Sequence, residues 1–113
     1  MALIVTPEER ALEPYPGAGD GLKLAHLRPD DPYVHMTEVP PGYHIDLHSH
    51  SEAEVTVILT GSARVGERVC SAGSVLVIEA GEEYSLVAGD DEPLTFVVVR
   101  PRKAAYKVSE DSP

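Results

Sequence analysis

The sequence predicts an all-β domain, a small sandwich or barrel. Two observations carry that reading. Gly and Pro, nine and ten of them, break the chain into short segments. The segments between them are rich in Val, Ile, Thr and Tyr, alternate apolar with polar residues, and show hardly any helical period. About eight to ten short strands between turns is the pattern of closed or sandwiched β architectures.

Taken in order, residues 2–6 (Ala-Leu-Ile-Val-Thr) are short, β-branched and apolar, and read as a first strand. Residues 7–12 fit one helical turn, with Thr6 as its cap and Pro7 at its first position. Residues 13–21 carry Pro14, Pro16, Gly17, Gly19 and Gly21 and read as a loop. Residues 22–28 alternate as a modest strand, residues 29–32 are a turn, and residues 33–39 are a strand closed by Pro40-Pro41-Gly42. Residues 43–49 alternate Tyr43, Ile45 and Leu47 against His44, Asp46, His48 and His50. Residues 54–60 are strongly β-branched, and Gly61 ends them. Residues 62–65 and 67–70 flank Gly66 as a hairpin. Strands follow at 74–78, 83–88 and 94–100, with Pro101 as a stop, and 104–108 reads as a last strand. One domain results, with an N-terminal strand and loop over 1–21, a barrel over 22–108 and a polar tail over 109–113. The stretches 2–6 and 104–108 are candidates for pairing across subunits, because exposed strand edges need covering. A homodimer is the expectation.

Composition narrows the partners. The 113 residues hold nine basic and nineteen acidic side chains, a formal net charge of −10. Such a chain is poorly suited to phosphate backbones and to anionic membrane surfaces. No apolar run approaches a membrane span. The single cysteine, Cys70, excludes an internal disulfide, and no positively charged segment opens the chain, so the expected compartment is the cytoplasm.

The chemistry gathers between Gly42 and Gly61. His48 and His50 stand two apart, so on a strand they share one face, roughly 6.5–7 Å apart. Two imidazoles on one face can converge on one metal ion. A carboxylate from the next strand would complete a two-His, one-carboxylate set, the pattern of open, reactive metal sites.

The spacing Gly42-x5-His48-x-His50-x3-Glu54-x6-Gly61 resembles the first cupin motif at every fixed position. The second cupin motif is partial. Gly73 and Gly81 align, while Glu79, Tyr84 and Ala88 stand where the family has Pro, His and Asn. The two motifs span residues 42–88, and the strand pattern extends the resemblance over most of the chain. It implies a cupin jelly-roll β-barrel, often dimeric. It also implies a divalent transition metal (iron, zinc, manganese or nickel) held by His48, His50 and Glu54, with Tyr84 in place of the fourth ligand. Family members include dioxygenases, cyclases, isomerases, lyases, sensors and storage proteins, so the resemblance specifies fold more closely than activity.

Tyr84 can ligate the metal weakly, donate a proton to a developing oxyanion, or line the pocket. The leading expectation is a metal-dependent enzyme acting on a small organic molecule, an oxidoreductase if the metal is iron. The alternatives are a non-catalytic ligand-binding or sensor barrel, and a metal-free enzyme with Tyr84 as acid. Alternation points Thr56 and Ile58 inward with Glu54, and Leu86 with Tyr84. It points either Phe96 and Val98 or Thr95, Val97 and Val99 inward from the last long strand, with Met36 joining them. The expected pocket is narrow and apolar, with little Arg or Lys inside. His44 and Asp46 read as rim residues, Asp46 with the option of orienting an imidazole. Glu52 reads as a solvated turn residue, His26 and His35 as structural, and Cys70 as a small buried hydrophobe. A serine-hydrolase elbow and a phosphate-binding glycine loop are both missing from the sequence.

Overall fold

A computed structural model describes residues 2–15, 21–28 and 30–108. The tail 109–113 and part of the 13–21 loop lie outside them. The described residues form eleven strands and no helix: β1 (Glu13–Pro14), β2 (Lys23–Arg28), β3 (Tyr33–Val39), β4 (His44–His50), β5 (Glu54–Thr60), β6 (Ser62–Val65), β7 (Arg68–Ser71), β8 (Val75–Ile78), β9 (Tyr84–Ala88), β10 (Leu94–Arg100) and β11 (Tyr106–Val108). They pair antiparallel in two sheets, ordered β1-β2-β3-β10-β5-β8 and β11-β4-β9-β6-β7. No helix among the described residues is long and apolar enough to cross a membrane.

The core lies between the sheets. Val39, Ile58, Leu94, Phe96 and Val98 of the first sheet meet Ala63, Leu86 and Ala88 of the second. Burying each of the Val, Ile, Leu and Phe side chains stabilises the fold by roughly 1.5–3 kcal/mol. The interior positions of the central strands change character along their length. β3 runs from Tyr33 and His35 to Val39, β5 from Glu54 to Ile58, and β9 from Tyr84 to Ala88. The antiparallel β10 runs the other way, from Leu94 to Arg100, and β4 ends on His48 and His50. Antiparallel pairing therefore collects the polar ends together, and the barrel has one apolar half and one polar half.

The glycine bracketing the central stretch is held by geometry. Gly61 has φ +75°, and a Cβ there would stand 2.6 Å from the carbonyl oxygen of Pro93. Only glycine satisfies both conditions.

Four readings of the sequence are corrected. Residues 2–6 form no strand, and Leu3, Ile4 and Val5 are exposed; the first strand is Glu13–Pro14, inside the stretch expected as loop. The Thr6 turn does form: Glu9 reaches back to the Thr6 amide at 3.1 Å and accepts from its hydroxyl at 2.7 Å. The last strand forms as expected: one edge of β11 pairs with β4, with Tyr106 opposite His50, the Ala105 amide donates to Ser51 Oγ at 2.8 Å, and the other edge ends the sheet. Met36 is buried, but on the other face of β3. It pairs with Ala25 and Val97 and meets Arg10 of the N-terminal segment.

The fourth correction concerns β4. Strict alternation would set Ile45 and His48 on opposite faces. A β-bulge lies between them: the pairing steps from Ile45↔Leu86 to His48↔Tyr84, three residues against two. One extra residue reverses the alternation, so Ile45 packs on the core and His48 and His50 are also buried.

A candidate site at the polar end of the barrel

His48 and His50 sit at the C-terminal end of β4 with ring centroids 4.9 Å apart. Tyr84, opposite His48 in the ladder, lies 4.3 Å from it, and Tyr106 stacks on its ring at 4.7 Å. Glu54 opens β5 and is buried, with its side chain 2% exposed. The four residues singled out from the sequence are therefore neighbours at one end of the interior.

Arg100 joins them. Pairing sets Arg100 opposite Tyr33 on one side, and on the other Val99 opposite Val55, so the next step brings Arg100 beside Glu54. Its Nε and Nη2 both donate to Glu54 Oε1, at 3.3 and 3.1 Å. Thr56 Oγ1 donates to Oε2 at 2.6 Å, and the Tyr84 hydroxyl reaches the same oxygen at 3.4 Å, long for an O–H···O bond. The guanidinium carbon lies 5.6 Å from the centre of the Tyr33 ring. The expected scarcity of basic groups inside is thus corrected by one buried arginine.

The electrostatics keep the histidines neutral. Burial lowers the pKa of His48, against the Asp46 backbone bond and the Glu54 charge, which raise it. His50 falls to about 4, from burial first and then from Arg100, although Glu54 opposes the shift. Its Nδ1 lies 3.2 Å from Glu54 Oε1 but is not aligned for a hydrogen bond. Burial, then the Glu54 charge, raises the pKa of Tyr84 and keeps the phenol protonated. His48 Nδ1 donates to the Asp46 carbonyl at 2.7 Å, since a carbonyl can only accept. The Asp46 backbone, not its carboxylate, orients this ring.

The fit of these residues to a metal is uneven. His48 is neutral, and its Nδ1 bond leaves Nε2 as the nitrogen with a lone pair to give. His50 is neutral with an unpartnered Nδ1. Both suit an ion. Glu54 would have to exchange a present partner, and the long Tyr84 contact is the weakest of them. Among the described residues, no three His, Cys, Asp or Glu groups stand already assembled around an ion position.

The remaining candidates are dispersed. His44 and Asp46 are exposed on β4. Glu52 pairs with Arg102 at 2.6 Å, so it is tied and not freely solvated. His26 bonds the Tyr33 hydroxyl through Nδ1 at 3.1 Å. Cys70 is half-buried against the core. His35 is buried on the interior face one row from Arg100, opposite Val98. Its phase on β3, shared with Tyr33, was the only sequence signal for that placement.

No family model matches the chain, and no curated protein does. Solved structures match along nearly its whole length. The polyketide cyclase RemF from Streptomyces resistomycificus is 21% identical over 98% of this chain and 89% of that one, with a TM-score of 0.81. A sugar phosphate isomerase of the cupin superfamily from Silicibacter pomeroyi is 22% identical over 95% and 82%, with a TM-score of 0.76. A double-stranded β-helix protein from Klebsiella pneumoniae is 22% identical over 98% and 100%, with a TM-score of 0.76. The chain has the cupin fold, as its motifs led one to expect.

Proposed function

We propose that this cupin barrel is a small-molecule enzyme whose substrate binds at the polar end, beside a divalent transition metal held by His48, His50 and Glu54. One observation carries the reading: two neutral, buried imidazoles lie side by side next to a buried carboxylate. A bound metal would supply Lewis acidity toward a substrate oxygen. The protein's own groups do the rest. The Asp46 carbonyl fixes the His48 ring, and Thr56 and Arg100 fix Glu54. Tyr84, held protonated, donates to a developing oxyanion. Phe96, Leu86 and Val98 keep water from the inner half. Cyclisation, isomerisation, elimination and dioxygenation all suit this layout. The first two are the activities named for the cyclase and isomerase neighbours.

A second reading has its own support. Both oxygens of Glu54 already accept hydrogen bonds, which favours a metal-free site with Tyr84 as acid and a neutral histidine as base. Titrating chelator-stripped protein with Co²⁺ separates the two. Metal binding predicts a ligand-field spectrum that saturates near one ion per chain and disappears in His48→Ala. A flat titration supports the metal-free site.

The protein would act as a homodimer in the cytoplasm on a small organic substrate, without nucleic acid or membrane. The exposed apolar face of β5 and β8, with Val55, Leu59, Val75 and Val77, supports the dimer.

A further inference from the structure

The interior of the polar half holds two full charges, Glu54 and Arg100. They face each other, but their bond does not use the guanidinium fully. Nε and Nη2 converge on one oxygen, Glu54 Oε1, in place of the two-oxygen fork that suits a guanidinium best. Two polar atoms nearby are buried without a partner, His35 Nδ1 and His50 Nδ1. Both rings sense the charge of Arg100. Buried polar atoms are seldom left unpaired, and each one asks for an explanation. His35 is not one of the three residues proposed to hold the metal, so its orphaned nitrogen needs a separate cause.

We propose that Arg100, with His35 beside it, anchors a carboxylate on the bound small molecule. Glu54 occupies the guanidinium in the ligand-free protein, as an internal carboxylate in the place the substrate's carboxylate takes. The inference deepens the function proposed above by naming the substrate's charged group. Charge balance leads the same way. Once Glu54 turns to a metal, Arg100 is a buried cation without a partner, which is costly. An organic carboxylate pairs the guanidinium again and offers two coplanar oxygens to the planar fork, which a lysine could not match. Tyr33, against the guanidinium face, keeps the fork in place. His35, one row along from Arg100 on the same interior face, can donate to the same anion from Nδ1 in the tautomer that carries its proton there.

The test is equilibrium binding to metal-free protein with chelator present, at fixed ionic strength, so that failure of the metal assignment leaves this result readable. The probes are benzoate, its neutral isostere benzamide, and inorganic phosphate. Benzoate is expected to bind and raise the melting temperature, with benzamide and phosphate weaker by about tenfold or more. Arg100→Lys, which keeps the charge and loses the fork, should weaken benzoate by about tenfold. The double variant Arg100→Met with Glu54→Gln removes both buried charges together, so it can fold, and it should not bind benzoate. His35→Phe should weaken benzoate alone. Equal binding of benzoate and benzamide, equal or tighter binding of phosphate, or benzoate binding undiminished in the double variant would each overturn the proposal.

Discussion

His35 shows what one buried imidazole does to the molecule. Its pKa falls from the ordinary 6.5 to about 3, from burial first and then from the charges of Arg100, His26 and His50. The folded protein therefore keeps the ring neutral, while the unfolded chain takes up a proton as soon as the pH passes below 6.5. Stability is complete above that pH and declines as pH falls toward about 3, by roughly 1.4 kcal/mol per pH unit for this one group. His50, lowered to about 4, adds a loss of the same sign over much of the same window. Urea unfolding at pH 7, 6 and 5 should show stability dropping with acid, and His35→Gln should flatten that slope by about 1 kcal/mol per unit. An unchanged slope in the variant would mean that His35 protonates freely in the folded state. His48, His50 and Glu54 were legible in the sequence because their spacing is local, and Tyr84 because residues 73–88 resemble the second cupin motif. Arg100 and His35 were not, because their place in the site follows from pairing partners about 45 and 63 residues away.

The strands were legible because each carries its own alternation and its own punctuation. β3, β5 and β10 fall where the β-branched runs fall. The bulge in β4 was not, since nothing in Ile45-Asp46-Leu47-His48 marks the extra residue; it appears only in the ladder with β9. It decides the site, because without it the two histidines and Ile45 could not share the interior. Residues 2–6 have strand composition but no partner, and composition alone does not make a strand. The turn after β5 makes a sharper claim. Gly61→Ala meets both a left-handed backbone, φ +75°, and the Pro93 carbonyl. It should destabilise the protein by about 1–3 kcal/mol, whereas Gly66→Ala, with φ +60° and open space around it, should cost only the backbone part. Thermal melts of the two variants side by side check this, and equal losses would show that the Pro93 contact yields without cost.

At the scale of the whole molecule, the barrel separates stability from chemistry. The apolar half, around Ile58, Leu94 and Phe96, carries the packing, and the polar half carries every group proposed to act. The outer face of β5 and β8 leaves Val75 60% and Val77 66% exposed. If that face closes a homodimer, Val77→Asp should shift the mass measured by light scattering from two chains to one while leaving the circular dichroism spectrum intact. A wild-type monomer would remove the dimer from the account. The polar half is reached without a known substrate by elemental analysis of protein purified without added metal, wild type beside the His48→Ala/His50→Ala double variant. About one transition-metal ion per chain is expected in the wild type and none in the folded double variant. A wild type free of metal, or equal metal in both proteins, would contradict the metal assignment.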